Sequence, residues 1–243
     1  MELDFLAFAA HPDDAELSMG GTIAKMINAG KSFGIIDLTK GELGTRGTIE
    51  TRKEEAKSAG EILGLTLREN LGFPDGNISV NEKNTNEIIS QIRKYRPKII
   101  FAPYINDRHP DHVEASKLIK RAMFLSGLPK IETFLNGEKQ ESYRPKRIFY
   151  YFQTYEAIPS FVVDISNTFD IKMDAVRAYK TQFHVEGNTS NEPTTFISTP
   201  QFINFLKARA KSFGFKIGKK FGEPFISEEF IELDIENYLE NTI

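Results

Sequence analysis

Leu3-Asp4-Phe5-Leu6-Ala7-Phe8-Ala9-Ala10-His11-Pro12-Asp13-Asp14-Ala15-Glu16 is the stretch on which the fold turns. Leu3–Ala10 is almost wholly apolar and reads as a buried strand. It stops at His11-Pro12, and Gly20–Ala29 beyond it reads as a helix closed by Gly30. The same alternation continues outward. Phe33–Leu38 is a second strand. Thr48–Leu63 is a helix with Glu50, Glu54 and Glu55 in its early turns, where negative charge suits the helix dipole, and Gly64 as its stop. Leu65–Leu71 is a third strand, Asn84–Tyr95 a helix ended by Pro97, Ile99–Pro103 a fourth strand and Asp111–Leu125 a helix. This β-α rhythm predicts parallel strands joined by right-handed crossovers, doubly wound in the order 3-2-1-4. Strands 1 and 4 are then neighbours, and the crevice at their carboxyl ends is where such sheets bind ligands.

Past residue 128 the rhythm loosens. Lys146–Phe152 and Phe161–Ile165 read as strands, Phe169–Gln182 as a helix, His184–Pro200 as a long polar loop and Gln201–Phe213 as a helix. Gly214–Pro224 is rich in Gly and Lys, and Ile231–Leu239 reads as a last short element. No repeat, low-complexity linker or boundary divides the chain. The expectation is one α/β unit over 1–243, with a Rossmann-like, mostly parallel sheet flanked by helices.

Composition narrows the function. Of 243 residues 40% are apolar and 27% charged, and 31 basic against 34 acidic residues leave a net charge of −3. That balance excludes a strongly basic nucleic-acid binder and a largely disordered chain. No cysteine is present, so disulfides, thiolate metal sites and cysteine nucleophiles are excluded. No apolar run approaches the roughly 20 residues that span a bilayer, so no membrane insertion is expected. Met1-Glu2-Leu3-Asp4 is acidic where a secretory signal would be basic, and a cytoplasmic location is expected.

Three of the four histidines follow strand ends. His11 lies in Ala10-His11-Pro12-Asp13-Asp14-Ala15-Glu16 after strand 1. His109 and His112 lie in Asn106-Asp107-Arg108-His109-Pro110-Asp111-His112 after strand 4. His-Pro-Asp is also an ordinary helix start, with Pro in the first turn and Asp against the dipole. Its occurrence at both strands that flank the switch point is what directs attention to chemistry. His11 and Asp14 are three apart and share a face of a first helical turn, and Asp13 points about 100° away. His112 can add a third ligand from the other loop, at the C-terminal edge of the sheet. Two His and one carboxylate with an open position describe a catalytic zinc site. Asp13 is then placed to act on water, His109 to face the same pocket, and Asp111 to orient a histidine. The set fits hydrolysis.

These motifs resemble the LmbE-like (PIG-L) family of zinc-dependent N-acetylglucosamine deacetylases. The likeness extends through Gly20-Gly21-Thr22, Thr39-Lys40-Gly41-Glu42-Leu43-Gly44-Thr45-Arg46-Gly47-Thr48, Arg52-Lys53-Glu54-Glu55-Ala56 and Phe73-Pro74-Asp75-Gly76. Gly218-Lys219-Lys220-Phe221-Gly222-Glu223-Pro224-Phe225 is similar to the branch that deacetylates N-acetylglucosaminyl-malate during bacillithiol synthesis. The resemblance implies a Zn2+ ion, with another divalent metal such as Fe2+ as the alternative, held by His11, Asp14 and His112. It implies Asp13 as general base and His109 as the group assisting the oxyanion or the leaving amine. The implied partner is a small-molecule N-acetylglucosamine conjugate, and a homo-oligomer is compatible with it. Alternatives are another N-acetylglucosamine-containing glycan or antibiotic precursor, and a non-catalytic metal- or sugar-binding module.

Gly20-Gly21 is not a dinucleotide loop, because the Gly-x-Gly-x-x-Gly pattern is absent and acidic residues stand where pyrophosphate would sit. In the loop after strand 2, Arg46 and Arg52 are candidates to grip an acidic substituent such as malate, and Glu42 to accept from sugar hydroxyls. Arg108 is also expected near the pocket. His184 reads as a surface or packing histidine, and Lys216, Lys219 and Lys220 as a solvated face.

Overall fold

Alternate residues of the first strand feed two separate cores. Ala7 and Ala9 face one side, where they join Phe33, Ile35 and Phe101, and Leu6, Phe8 and Ala10 face the other with Ile36, Leu38 and Ile100. A strand covered on both faces has no polar side, which is why Leu3–Ala10 is continuously apolar rather than alternating.

The computed structural model describes residues 1–187 and 191–234. In chain order the elements are β1 (Phe5–Ala9), α1 (Asp14–Asn28), β2 (Phe33–Thr39), α2 (Ile49–Leu63), β3 (Leu67–Phe73), α3 (Glu82–Tyr95), β4 (Ile99–Pro103) and α4 (Pro110–Ser126). They continue with β5 (Phe134–Leu135), β6 (Glu138–Lys139), β7 (Arg147–Tyr151), β8 (Phe161–Asp164), α5 (Phe169–Ala178), α6 (Pro200–Lys216) and β9 (Gly222–Ile226). The main sheet runs β3-β2-β1-β4-β7-β9-β8, parallel except where β9 enters, and β5 and β6 form a separate small hairpin. The expected order 3-2-1-4 is therefore present as the four strands that begin at the β3 edge. Helices α1, α2, α5 and α6 pack over one face, and α3 and α4 over the other.

Local signals explain the clean boundaries. Thr48 caps α2 in a capping box with Thr51, and Gly64 closes it in the left-handed region at φ 77°. Asn81 caps α3, accepting from the Asn84 backbone N–H at 2.8 Å.

Other boundaries needed the tertiary contacts. Helix α1 begins at Asp14 rather than Gly20, and it is broken at Met19 (φ −143°). Glu223 of β9 caps the restart: its carboxylate accepts from the Gly21 and Thr22 backbone N–H groups at 3.1 and 2.7 Å and from Lys172 Nζ at 2.5 Å. Gly21 is required there, since a Cβ would stand 2.7 Å from Ile165. Strand β9 lies in the segment read only as Gly- and Lys-rich. It is inserted antiparallel between β7 and β8, and Gly222 fits because a Cβ would meet Val162 at 2.7 Å. Helix α5 ends at Ala178, short of Gln182. The chain turns at Tyr179, whose buried hydroxyl donates to Glu16 Oε1 at 3.1 Å. Residues 231–234 form no regular element, and the rest of the expected Ile231–Leu239 element lies outside the described residues. Among the described residues no helix is long and apolar enough to cross a membrane.

A buried charge network lies beneath the carboxyl end of the sheet. Arg68 of β3 forks onto Asp37 of β2, Nε to Oδ2 at 2.8 Å and Nη2 to Oδ1 at 2.9 Å. It also bonds Glu16 of α1 through Nη1 and gives the same nitrogen to the Ala56 carbonyl at 3.1 Å. Burial pushes the Asp37 carboxyl up against the opposing pull of Arg68. The network joins the first turn of α1 to β2, β3 and α2, and through the Tyr179 hydroxyl to the turn after α5.

Candidate active site

The ends of β1 and β4 carry two short turns that face each other across the switch point. At the first, the Asp14 N–H donates to the His11 carbonyl at 3.3 Å, and Asp13 is held at φ 113°, a conformation few non-glycine residues adopt. Asp13 therefore does not sit on a regular helical turn, and the 100° offset expected from helix geometry is replaced by this left-handed residue. At the second, His109 caps α4: its Nδ1 accepts the Asp111 backbone N–H at 3.2 Å. That bond leaves Nε2 as the nitrogen of His109 able to carry a proton in the neutral ring.

The two turns bring three imidazoles together. Ring centroids are 5.4 Å apart for His11 and His112, 4.7 Å for His11 and His109, and 4.8 Å for His109 and His112. Asp14 lies between the first two. Its Oδ2 is 3.4 Å from His11 Nδ1 and its Oδ1 is 3.4 Å from His112 Nε2. The carboxylate is also held by the His11 backbone N–H at 2.8 Å and by the Gln153 amide.

His11 and His112 are each oriented by carboxylates on the ring nitrogen away from their Asp14 contact. His11 Nε2 lies 3.0 Å from Asp75 and 3.2 Å from Asp111, and His112 Nδ1 lies 2.9 Å from Asp107. In the neutral rings a proton on each of those nitrogens leaves the lone pairs of His11 Nδ1 and His112 Nε2 turned toward Asp14, the form a bound cation would select. Two imidazole nitrogens facing the two oxygens of one carboxylate are a donor set that fits a divalent cation, and a metal centre is the chemistry it offers. His11, His109 and His112 also present ligand atoms within 4.8 Å of one another, as do His11, Asp75 and Asp111.

The electrostatics follow from burial and these pairs. Burial opposes charge on His11, yet hydrogen bonds to Asp111, Asp14 and Asp75 outweigh it and raise its pKa well above the usual value. Burial is likewise outweighed at His112, where Asp14 and Asp107 raise the value to about 9. Burial and the two neighbouring rings push His109 down. Burial pushes Asp13 up to about 7, opposed by the Arg52 guanidinium.

A cavity of about 380 Å³ opens over this cluster, and its lining includes His11, Asp13, Asp14, His109, His112 and Arg52. Arg108 lies on its wall, with its guanidinium 5.5 Å from the Phe196 ring centre. The remaining expected residues are placed differently. Arg52 does not point a free fork at the cavity: its Nη2 donates to the Pro12 carbonyl at 2.6 Å and to Asp13 Oδ2 at 3.2 Å, and its Nη1 donates to the Gly41 carbonyl at 3.1 Å. Arg46 is off the cavity and donates to the Thr181 and Pro193 carbonyls at 2.5 and 3.0 Å. Glu42 is also off the cavity and accepts the Asp75 backbone N–H at 2.9 Å. Asp111 is buried behind His11, where it also accepts from the Gly76 and Ile78 backbone N–H groups at 2.7 and 3.2 Å. The supporting residues Asp75, Asp107 and Gln153 were given no role from the sequence. Asp107 stands beside the second His motif and Asp75 in a Pro-Asp-Gly turn, both positions ordinary for a loop aspartate. Nothing in the pattern around Gln153 marks it.

A family model described as GlcNAc-PI de-N-acetylase (PIG-L) matches residues 6–123. The diacetylchitobiose deacetylase of Thermococcus kodakarensis is 34% identical over 192 residues, covering 73% of this chain and 69% of that protein. The mycothiol S-conjugate amidase of Streptomyces coelicolor is 27% identical over 180 residues, covering 61% of this chain and 60% of that one. Among solved structures, a conserved protein of Thermus thermophilus superposes with a TM-score of 0.84 at 38% identity, covering 96% of this chain and 98% of its own. The N,N'-diacetylchitobiose deacetylase of Pyrococcus horikoshii superposes with a TM-score of 0.76 at 25% identity, covering 91% of this chain and 82% of its own. The chain belongs to the PIG-L, or LmbE-like, family of metal-dependent N-deacetylases.

Proposed function

We propose that this enzyme hydrolyses the N-acetyl group of a small N-acetylglucosamine conjugate, with zinc as its ion, giving acetate and a free amine. The observation that carries the reading is the placement of His11 Nδ1 and His112 Nε2 each 3.4 Å from the Asp14 carboxylate in the cavity lining, with Asp13 and His109 in the same lining. His11, Asp14 and His112 would hold the ion, which supplies Lewis acidity toward the acetyl carbonyl and the attacking water. Asp13, anchored by Arg52, takes a proton from water as its oxygen adds to the acetyl carbon. His109 donates its Nε2–H to the carbonyl oxygen as that atom gains charge, and a neutral ring suffices for this. The C–N bond then breaks, and the proton held by Asp13 passes to the departing nitrogen.

N-acetylglucosaminyl-malate is the particular conjugate we favour, on the likeness of Gly218–Phe225 to the branch that uses it. Its carboxylates would meet Arg108, since Arg46 and Arg52 are committed to other partners. Acetate release from N-acetylglucosaminyl-malate, N,N'-diacetylchitobiose, N-acetylglucosamine and a non-sugar acetamide tests both levels. The malate conjugate should be cleaved fastest and the acetamide not at all. Cleavage of the acetamide alone would overturn the proposal, and preference for diacetylchitobiose would replace the malate assignment.

Two substitutions follow from the supporting contacts. Asp107→Ala removes the group that orients His112, and metal affinity should fall about 10–100-fold, the usual reach of such a partner. Metal retained against a graded chelator series measures it, and unchanged retention would show that His112 needs no orientation. Arg52→Ala should lower kcat about tenfold or more on every substrate alike, since the lost bond is a charge-assisted one to Asp13. A loss confined to the malate conjugate would return Arg52 to the role of anion grip.

A further inference from the structure

Part of the cavity wall is built by a segment that none of the catalytic motifs contains. Residues 181–187 follow the end of α5 and residues 191–197 precede α6, and within them Gln182, Phe196 and Ile197 line the cavity. One guanidinium gathers the two ends of this strap. Arg46 Nε donates to the Thr181 carbonyl at 2.5 Å, and its Nη1 donates to the Glu192 and Pro193 carbonyls at 3.3 and 3.0 Å. The fastening is reciprocal. The Gln182 side-chain amide donates back to the Arg46 carbonyl at 2.7 Å, and the Gly47 N–H donates to Glu192 Oε1 at 2.7 Å. Gly47 (φ 74°) has no room for a side chain, because a Cβ would stand 2.7 Å from the Thr181 hydroxyl. A planar fork is suited to binding several carbonyls in fixed directions, and a flexible ammonium is not.

Beyond the fastening, the strap presents an aromatic row. Phe183 stacks on Phe202 of α6 at 5.9 Å, and Phe196 meets Phe202 edge-on at 5.6 Å. Phe196 is nevertheless 65% exposed where it lines the cavity, and the Arg108 guanidinium lies 5.5 Å from its ring centre. The reacting groups occupy the floor, so this wall is left for whatever extends beyond the acetamido group. A ring exposed beside a cation offers an apolar plate for the C–H face of a sugar and a charge for an acidic substituent.

We infer that the strap formed by residues 181–187 and 191–197 is the specificity wall of this enzyme, in which Phe196 contacts the aglycone of the conjugate and Arg46 acts as the positioning residue that holds the wall in place. The inference rests on the deacetylase reading above and deepens it. Arg46 touches no substrate, so its effect passes through the strap. Phe196 acts directly.

The test compares N-acetylglucosaminyl-malate and N,N'-diacetylchitobiose with free N-acetylglucosamine on the zinc-loaded full chain. For Phe196→Ala, the ratio of kcat/KM on whichever conjugate is cleaved faster to that on the free sugar should fall about tenfold, mainly through KM, the size of one lost pocket contact. Arg46→Ala should lower the same ratio, Arg46→Lys should not restore it, and a Glu-specific protease should cut after Glu186 faster in both Arg46 variants than in the wild type. Equal losses on conjugate and free sugar, or a loss in kcat with KM unchanged, would overturn the inference while leaving the deacetylase reading intact. If the wild type releases acetate from no sugar, the deacetylase reading fails. Protease sensitivity then still decides the fastening, and unchanged cutting at Glu186 in Arg46→Ala overturns it. Phe196 is largely exposed, so its variant remains usable even where Arg46→Ala does not fold.

Discussion

Replacing Asp13 by Asn should leave the metal in place and cut the deacetylation rate by about 10²–10⁴-fold, the range of general acid–base help. Asn is the informative substitution because Asp13 sits at φ 113°. Asn tolerates the left-handed region, whereas Ala would add backbone strain to the loss of the carboxylate. Asn also keeps a side-chain oxygen for the Arg52 contact at 3.2 Å, so the loop geometry survives. Asp14→Ala is the matched control. It removes the carboxylate that lies 3.4 Å from both His11 Nδ1 and His112 Nε2, and should weaken metal binding, with part of its activity returning in excess zinc. Metal content and acetate-release rate distinguish the pair. A metal-free Asp13→Asn beside a metal-loaded Asp14→Ala would reverse the two roles. Full activity of a metal-loaded Asp13→Asn would move the base to His109 or elsewhere.

Arg68→Ala should lower stability by about 3–5 kcal/mol, the cost of removing one partner from a buried ion pair. The loss exceeds that of a surface pair because Asp37 loses its fork and Glu16 keeps, among the described residues, only the Tyr179 hydroxyl. Asp37 is 2% and Glu16 0% exposed, and Glu16 Oε2 already lacks a hydrogen-bond partner. For a chain of this length, a loss of that size corresponds to a drop in Tm of about 10 °C. Arg68→Lys keeps the charge but cannot fork onto Asp37, and should fall between wild type and Ala. Thermal unfolding of the three proteins is the measurement, and a drop below about 2 °C for Arg68→Ala would show that the carboxylates find other partners or protonate at little cost. Glu16 lies two residues from Asp14, so the destabilised variant should also hold metal less well.

Much of the architecture could be read along the chain because parallel strands buried on both faces leave a continuous apolar run, as Leu3–Ala10 does. The helices between them carry their own stops, such as Gly64 at φ 77°. The adjacency of the two His motifs followed from strand order alone, since β1 and β4 are neighbours in any sheet wound 3-2-1-4. Those inferences need only periodicity, capping and handedness, which are local or topological.

What the chain could not show are the distances between groups far apart in sequence. Arg46, Arg52 and Glu42 have the charge and the loop position of substrate ligands. Only packing shows them spent on the Thr181 carbonyl, the Asp13 carboxylate and the Asp75 N–H. Asp75, Asp107 and Gln153 are ordinary residue types in their own segments, and become supports of His11, His112 and Asp14 through the fold. Strand β9 hides behind Gly222 and Pro224, because a strand slotted between β7 and β8 is chosen by the gap it fills rather than by its own propensity. Residue type and spacing thus decide which chemistry is available, whereas side-chain direction, set by contacts across the whole chain, decides which group performs it.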